Sequence, residues 1–363
     1  MPDYEFPIAR PVLPDAEALM PYLQSIDASH HYTNFGPLET RLGDTLCGHL
    51  GGSARENLAM VSNGTLALQL TISLFAHPGR KHCLIPSWAF RAVPEAALCA
   101  GFTPYFVDVD TEAASMCPDA AEEEIRRLGA DNVGAIILVP FMGKSIDLEP
   151  WRRLREAHGI PILMDAAAGF CNHRCSDIPT TMSFHATKIF STGEGGCVLY
   201  DGDLTRLTEE TSFGALDRPR GTLRATNAQL SEYHAAIGLA SLDEWEGRLT
   251  QYRRLAACYV EALSARSSSD IEPEPGYSDR WMSNSMPIRV HEDRRQDVIA
   301  TLHDAGVETR MWWGTGLHRQ PRYADLPSGP LPNTEAIARR SLSLPFYFGM
   351  KKDNVIKISE YLA

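Results

Sequence analysis

The sequence lacks any excess of positive charge and any long apolar run. Lysine and arginine total 34 residues against 46 aspartate and glutamate residues, a formal net charge of −12. Phosphate backbones attract basic surfaces, so this balance argues against a nucleic-acid partner. No segment approaches the ~18 consecutive apolar residues of a membrane-spanning helix. We therefore expect neither nucleic-acid binding nor a membrane span.

Signals of secretion and of a disulfide framework are also lacking. The first twenty residues carry acidic residues and prolines where a signal peptide has a basic and then an apolar region. The eight cysteines are scattered through 363 residues, which favours free thiols in a reducing compartment. We therefore expect a cytoplasmic protein.

Seven short apolar runs, separated by segments of helical length, lie between Asn57 and Tyr200. Runs that are apolar on both faces are typical of strands buried beneath helices on each side. The alternation predicts an α/β fold with a mostly parallel sheet. After a long predicted helix over 231–254 the pattern changes. We expect a large α/β domain over 1–249 and a smaller α+β domain over 250–363.

Two motifs follow predicted strands, where ligands of such sheets bind. The segment Ser62-Asn-Gly-Thr65 opens a helix with a glycine and hydroxyls, which suits a phosphate group, although ordinary helix capping uses the same residues. Asp165 follows a buried strand, where a carboxylate needs a partner. The ring nitrogen of pyridoxal phosphate (PLP) is one such partner, and a role as a helix N-cap is the alternative.

A third motif runs from Ser183 to Lys188 and continues into a glycine-rich turn over 193–196. A partly neutral lysine at this position could form a Schiff base with an aldehyde cofactor; alternatively it is a surface lysine beside a hairpin. A phosphate site, a partner for a ring nitrogen and a reactive lysine on successive strand ends predict PLP chemistry. No metal site is predicted, because Cys171, His173 and Cys175 lack a fourth ligand and the usual spacing.

The order of these motifs resembles the DegT-type nucleotide-sugar aminotransferases, a family of fold-type I PLP enzymes. The resemblance extends from about Thr33 to Pro345. The matching segments are 33–37, 62–68, 85–90, 101–110, Asp165-Ala-Ala, 183–188, 193–196, Leu317-His318 and 342–345. It implies a fold-type I large domain, a smaller C-terminal domain and a homodimer.

The resemblance also implies roles for individual residues. Lys188 is the Schiff-base lysine and the base that moves the proton, and Asp165 pairs with the ring nitrogen. Gly64, Thr65 and Ser183 hold the phosphate.

Further residues would border the cofactor. Phe90 stacks on the cofactor ring, and Trp88 shares its face if the segment is extended. Asn227 reaches the phosphate of the neighbouring subunit, so the active site is shared across the dimer.

Substrate contacts follow from the same resemblance. His31 and Thr33 belong to a segment that lines the sugar pocket, although an exposed position before a loop is equally consistent for His31. Arg310 and His318 belong to a segment over the active-site entrance, with packing at a domain interface as the alternative for its tryptophans. Arg220 and Arg224 meet a phosphate across the dimer or lie on a plain loop.

The implied reaction moves an amino group from L-glutamate to a nucleotide-linked keto-deoxy sugar, a 4-keto-6-deoxyhexose or else a 3-keto sugar. It would supply an amino sugar for surface polysaccharide, O-antigen or an antibiotic. Two alternatives stay open. One is a PLP-binding regulatory protein, because Ala168 stands where the family commonly has Gln or His, and Arg91 replaces a small apolar residue. The other is a dehydratase-like relative that uses pyridoxamine phosphate, which the presence of Lys188 disfavours.

Overall fold

Seven short strands form one sheet in the first part of the chain. The computed structural model describes residues 4–214, 225–266 and 270–362. In chain order the strands are β1 Leu58–Val61, β2 His82–Pro86, β3 Thr103–Val107, β4 Val133–Leu138, β5 Ile162–Asp165, β6 Thr180–Ser183 and β7 Gly196–Leu199. Their order in the sheet is β1-β7-β6-β5-β4-β2-β3. β7 is antiparallel to both neighbours and the other pairs are parallel, which confirms the predicted mostly parallel α/β sheet.

Helices cover both faces of the sheet because successive strand residues point to opposite faces and are apolar on each. Leu84 and Ile85 are adjacent in β2 and fully buried, yet they belong to different apolar clusters. The helices are α1 Ala16–Ser29, α2 Pro37–His49, α3 Gly64–Phe75, α4 Ala92–Cys99, α5 Pro118–Leu128, α6 Glu149–His158, α7 Thr205–Glu210, α8 Glu232–Asp243, α9 Trp245–Ser264, α10 Arg295–Asp304, α11 Pro332–Arg340 and α12 Lys352–Glu360. Ile85 packs with α3 and α4, and Leu84 packs with α5 and α6.

The later part of the chain forms a second, antiparallel sheet. It contains β8 Ile271–Pro273, β9 Met286–Val290 and β10 Ser341–Leu344 in the order β10-β9-β8. The single helix predicted over 231–254 is wrong, because the chain breaks at Glu244 into α8 and α9. The two helices have different partners, since α8 packs against α1 and α2 whereas α9 packs against β8 and α12. The predicted domain boundary at 249/250 falls inside α9, and the division into domains stays a prediction.

Polar contacts attach the C-terminal segment to the carboxyl end of the large sheet. Asp108, directly after β3, accepts a hydrogen bond of 2.7 Å from the backbone N–H of Thr334 in α11. The Ser87 carbonyl, directly after β2, accepts one of 2.8 Å from the Leu317 N–H. Ser87 Oγ also lies 2.7 Å from Nδ1 of His318. Residues 317–334 are therefore held at the sheet edge where ligands bind in such folds.

A buried carboxylate fixes the start of α2. The Glu232 side chain accepts hydrogen bonds from the backbone N–H groups of Leu38 (2.9 Å) and Glu39 (2.7 Å). These groups lie in the first turn of α2, where backbone donors have no partner within the helix and negative charge is favourable. The Glu232 N–H donates to the carbonyl of Tyr32. The segment between Tyr32 and α2 is thus held at both ends.

Replacing Glu232 by glutamine should lower the free energy of unfolding by about 2 kcal/mol. The amide keeps one acceptor for two backbone donors and turns an NH₂ group toward the second. Urea denaturation followed by circular dichroism measures the change. Glu272→Gln, at an exposed position of β8, is the matched control. This substitution should change the free energy of unfolding by less than ~0.5 kcal/mol. Equal effects of the two variants would contradict the capping role.

Candidate active site

Three chain segments meet at Gly196. This residue begins β7 and pairs with Val61 at the end of β1 and with Ser183 at the end of β6. A Cβ atom at Gly196 would lie 2.7 Å from the carbonyl oxygen of Met182 and 2.9 Å from the amide nitrogen of Gly64. Both distances are too short for a real side chain, so glycine is required here. The N-terminus of α3 consequently lies directly beside the end of β6.

The first turn of α3 offers backbone donors at this point. The Asn63 side chain accepts a 2.9 Å hydrogen bond from the Leu66 N–H and caps the helix. In the described part of the chain, the N–H groups of Gly64 and Thr65 donate to no protein acceptor. A Cβ at Gly64 would lie 2.8 Å from the Cβ of Ser183, so the Ser183 side chain borders the same turn. These amides, the helix dipole and the hydroxyls of Thr65 and Ser183 fit a phosphate group.

Asp165 ends β5 and its side chain is buried, with 8% of the residue exposed. Burial raises the pKa of Asp165 from its usual 3.8 to about 6, against the opposing effects of the Ala167 N–H, the Lys188 charge and the Thr181 hydroxyl. The Ala167 N–H donates to Oδ1 of Asp165 at 3.0 Å. The Ala167 N–H and the Thr181 hydroxyl leave part of the acceptor capacity of this carboxylate unused, and a cationic N–H partner would suit it.

Lys188 lies in the turn between β6 and β7. Burial lowers the pKa of the Lys188 ammonium group, and the nearby Asp165 carboxylate opposes this shift. The Lys188 backbone N–H donates to the carbonyl of His185 at 2.8 Å. A lysine with a lowered pKa is more often neutral near pH 7 and is the better nucleophile and base. The structure thus brings Lys188 and Asp165 into electrostatic contact, although they are 23 positions apart in the chain.

Trp88 and Phe90 do not share a face, contrary to the expectation for an extended segment. Trp88 is 1% exposed and Phe90 is 51% exposed. The chain bends over residues 87–89 after β2 ends, so the two-residue alternation of a strand no longer applies. Trp88 packs among aromatic rings, with centroid distances of 6.5 Å to Phe141 and 5.4 Å to Trp313. Phe90 keeps an exposed ring at the carboxyl end of the sheet.

The predicted substrate residues lie in different surroundings. His31 and Thr33 are exposed just after α1. Arg310 forms a 3.0 Å ion pair with Glu308 and lies 5.3 Å from the centroid of the Trp312 ring. Their contacts with a substrate stay predictions. The predicted phosphate contacts of Arg220 and Arg224 lie outside the described residues.

His318 is engaged within the protein. Beside Ser87, its ring contacts Glu335, with 3.4 Å between Nε2 and the carboxylate oxygen. Burial lowers the pKa of His318, while the hydrogen bond to Glu335 opposes that shift. A contact between His318 and the substrate stays a prediction.

Asn227 is exposed and lies beside the Ser62–Thr65 turn of its own chain. The next residue, Ala228, accepts a 2.7 Å hydrogen bond through its carbonyl from the Ser62 N–H. Within residues 4–214, 225–266 and 270–362, no side-chain hydrogen bond of Asn227 is found. The side chain is therefore available to a second molecule.

Two asparagines that the sequence did not predict contact the loops around the site. Asn284 donates to the carbonyl of Thr187 at 3.1 Å, directly before Lys188. Asn172 donates to the carbonyl of Gly143 at 2.7 Å. In the sequence, Asn172 is marked only by its place between Cys171 and Cys175, two residues weighed as metal ligands.

The ring of His173, in the same segment, is buried, and burial lowers its pKa to about 4. Its Nε2 lies 3.1 Å from the carbonyl oxygen of Lys144. Across the described ranges no group of three or more His, Cys, Asp or Glu residues is arranged to hold a metal ion. Nor does any helix in those ranges have the length and apolar character to cross a membrane.

Comparison with known proteins gives the family. The model of the DegT/DnrJ/EryC1/StrS aminotransferase family matches residues 15–363. The chain belongs to this family. A Bacillus cereus structure assigned to the PLP-dependent aminotransferases superposes with a TM-score of 0.92 at 29% identity, covering 98% of this chain and 99% of that one.

Two further proteins are similar over the whole chain. DesI, crystallised with its TDP-sugar product, superposes with a TM-score of 0.87 at 28% identity, covering 100% of this chain and 93% of DesI. The dTDP-4-amino-4,6-dideoxy-D-glucose transaminase of Escherichia coli is 25% identical over 378 residues, which cover 100% of this chain and 99% of the relative. The predicted family, fold class, enzyme class and PLP cofactor are thereby confirmed.

Replacing Asp165 by asparagine should stabilise the cofactor-free enzyme above about pH 6. The pKa of Asp165 is higher in the folded protein (about 6) than in an unfolded chain, so its ionisation disfavours folding. This cost is absent below about pH 4 and complete above about pH 6. The free energy of unfolding of the variant should therefore exceed that of the wild type by up to about 3 kcal/mol at high pH and should equal it at low pH. Urea denaturation of the cofactor-free protein near pH 4 and pH 8 measures this.

Asp177→Asn is the control of opposite sign. Hydrogen bonding to Arg152, with Arg155 beside it, lowers the pKa of Asp177 to about 2. Loss of the Asp177 carboxylate should therefore lower the free energy of unfolding near pH 8. A cofactor-free Asp165→Asn protein that is less stable than the wild type near pH 8 would refute the burial cost at Asp165.

Proposed function

We propose that this enzyme transfers an amino group from L-glutamate to the keto carbon of a nucleotide-linked keto-deoxy sugar, a 4-keto-6-deoxyhexose. The observation that carries the proposal is the meeting of a buried carboxylate, a lysine of lowered pKa and an unpaired helix N-terminus around Gly196. These are the groups that a phosphorylated pyridine aldehyde requires. DesI and the Escherichia coli transaminase, both similar over the whole chain, are named for TDP-linked sugars, which supports a nucleotide sugar as the substrate.

The first turn of α3 and the end of β6 hold the phosphate of the cofactor. The N–H groups of Gly64 and Thr65 supply the donors, and the Thr65 and Ser183 hydroxyls complete the shell. Because Gly196 keeps these two segments in contact, their donors converge on one point. No cationic side chain is needed, since the positive end of the helix dipole provides the charge.

Asp165 and Lys188 provide the reactive environment. When bound, PLP supplies an electron sink that stabilises a carbanion. The Asp165 carboxylate pairs with a protonated ring nitrogen, which recovers the cost of burying its charge. Lys188 Nζ, with its lowered pKa, acts as the nucleophile toward the aldehyde carbon and as the base that holds and moves the proton.

Phe90 and the outer residues complete the proposed site. The exposed ring of Phe90 is available to stack on a flat cofactor. His31, Thr33, Arg310 and His318 border the sugar nucleotide, with Trp88 behind them in the aromatic cluster. The reaction takes place in the cytoplasm and supplies an amino sugar for surface polysaccharide such as O-antigen.

Replacing Lys188 by alanine should abolish covalent capture of PLP and leave the fold intact. Reduction with borohydride after incubation with the cofactor, followed by intact-mass spectrometry, measures the capture. Lys144→Ala is the matched control, because burial also lowers the pKa of Lys144 and its Nζ donates a hydrogen bond to a loop carbonyl, that of Glu112. This control should be labelled like the wild type. Wild-type labelling of the Lys188→Ala protein would refute the role of Lys188.

The same preparation tests the reaction. Wild-type enzyme with PLP should show a visible absorption band that L-glutamate removes and a nucleotide-linked keto sugar restores. A band that no amino donor changes would contradict an aminotransferase and support the regulatory alternative.

We also propose a homodimer with shared active sites, which the exposed position of Asn227 supports. Asn227→Ala and Lys188→Ala homodimers should each have low activity. After subunit exchange, a mixed dimer has one site with both native residues, since Lys188 comes from one subunit and Asn227 from its partner. Activity should therefore rise toward about one quarter of the wild type in an equal mixture. No recovery in a mixture whose subunit exchange is verified by native mass spectrometry would contradict the sharing.

A further inference from the structure

A loop of the second sheet reaches the turn that carries Lys188. The loop 281–285 lies between β8 and β9, and four of its residues (Trp281, Met282, Ser283 and Ser285) are buried. The Nδ2 group of Asn284 in this loop donates a 3.1 Å hydrogen bond to the carbonyl oxygen of Thr187. The contact links two segments that are 97 positions apart in the chain.

This hydrogen bond acts on the peptide group that joins Thr187 to Lys188. The N–H of that peptide group, which belongs to Lys188, donates to the carbonyl of His185 at 2.8 Å. Its carbonyl accepts from Asn284. A peptide group is planar and rigid, so holding both its N–H and its C=O fixes its orientation. The direction in which the Lys188 side chain leaves the backbone is fixed with it.

The loop that presents Asn284 is itself held firmly. Asn172 donates to the Met282 carbonyl at 2.8 Å and accepts from the Met282 N–H at 3.2 Å, as a neighbouring strand would. The Tyr277 hydroxyl donates to the Ser285 carbonyl at 2.8 Å. The loop that carries Asn284 is therefore held in place by hydrogen bonds. Asn172 also connects this loop to its own segment, the loop after β5.

We propose that Asn284 is a positioning residue for Lys188. It fixes the Thr187–Lys188 peptide group so that the amine of Lys188 points toward the carboxylate of Asp165 and the phosphate-binding turn. The inference rests on the proposed role of Lys188 as the cofactor lysine. A lysine has four rotatable side-chain bonds. Fixing the backbone from which the side chain starts reduces the number of positions that the amine samples. Misplacement of a reacting group by about 1 Å costs up to ~100-fold in rate.

The first test uses the cofactor-free protein. Hydrogen–deuterium exchange should show faster exchange of the Lys188 amide in Asn284→Ala than in the wild type, because the peptide group is free to tilt. Asn132→Ala is the matched control. The Asn132 side chain also donates to a backbone carbonyl, that of Leu128, at 2.8 Å, but it lies directly before β4, at the amino end of that strand. Its Lys188 amide should exchange as in the wild type.

The second test follows the reaction of Lys188 with PLP. The rate at which the visible band forms should fall about tenfold or more in Asn284→Ala. With L-glutamate, kcat should fall by a similar factor while KM changes less than about twofold. Asn284→Asp keeps the shape and loses the donor, so it should behave like the alanine variant and serves as the test if that variant fails to fold.

Two outcomes separate the proposals. If Lys188→Ala abolishes capture while both Asn284 variants react and exchange like Asn132→Ala, the positioning role is wrong and the proposed function stands. If Lys188→Ala captures the cofactor like the wild type, the proposed function fails at its central residue and the positioning role fails with it.

Discussion

The electrostatic cost of burying Asp165 governs the arrangement of this site. A carboxylate in a low-dielectric interior is unfavourable unless cationic groups and hydrogen-bond donors surround it. In this protein the Ala167 N–H, the Lys188 charge and the Thr181 hydroxyl offset only part of that cost. The lowered pKa of Lys188 has the same origin, since burial disfavours its charged form too. A cationic ligand nitrogen is therefore the natural partner for the carboxylate.

The loops around the site are held by side chains that bind the backbone. Asp108 binds the start of α11, Glu232 binds the start of α2, and Asn172 binds both polar groups of Met282. Irregular loops leave backbone N–H and C=O groups without the partners that helices and strands supply. Carboxylate and amide side chains provide those partners over long sequence separations. The loops around the site are therefore held by side chains that are distant in the chain.

Much of the fold could be predicted because its pattern is local. β2 and α6 belong to the alternation of strands and helices predicted between Asn57 and Tyr200, since a strand apolar on both faces and an amphipathic helix each leave a short-range signature. Parallel strands bring their carboxyl ends to one edge, so the placement of Asp165 and Lys188 in one region followed from the same pattern. Their roles rest on the family and stay predictions.

The break at Glu244 and the bend after Ser87 left no such signature, because packing against distant partners decides both. The pairing of Asn284 with Thr187 is equally invisible in the sequence. One hydrogen bond across 97 positions has no counterpart in local periodicity.

The buried carboxylate also ties the lifetime of the protein to its cofactor. Near neutral pH the empty enzyme carries a charge that weakens its own fold, and binding of the cofactor removes that penalty and adds its own binding free energy. Newly made chains that find no cofactor therefore unfold more often and are exposed to proteases. The fraction of time that the chain spends folded would then depend on how much cofactor is bound.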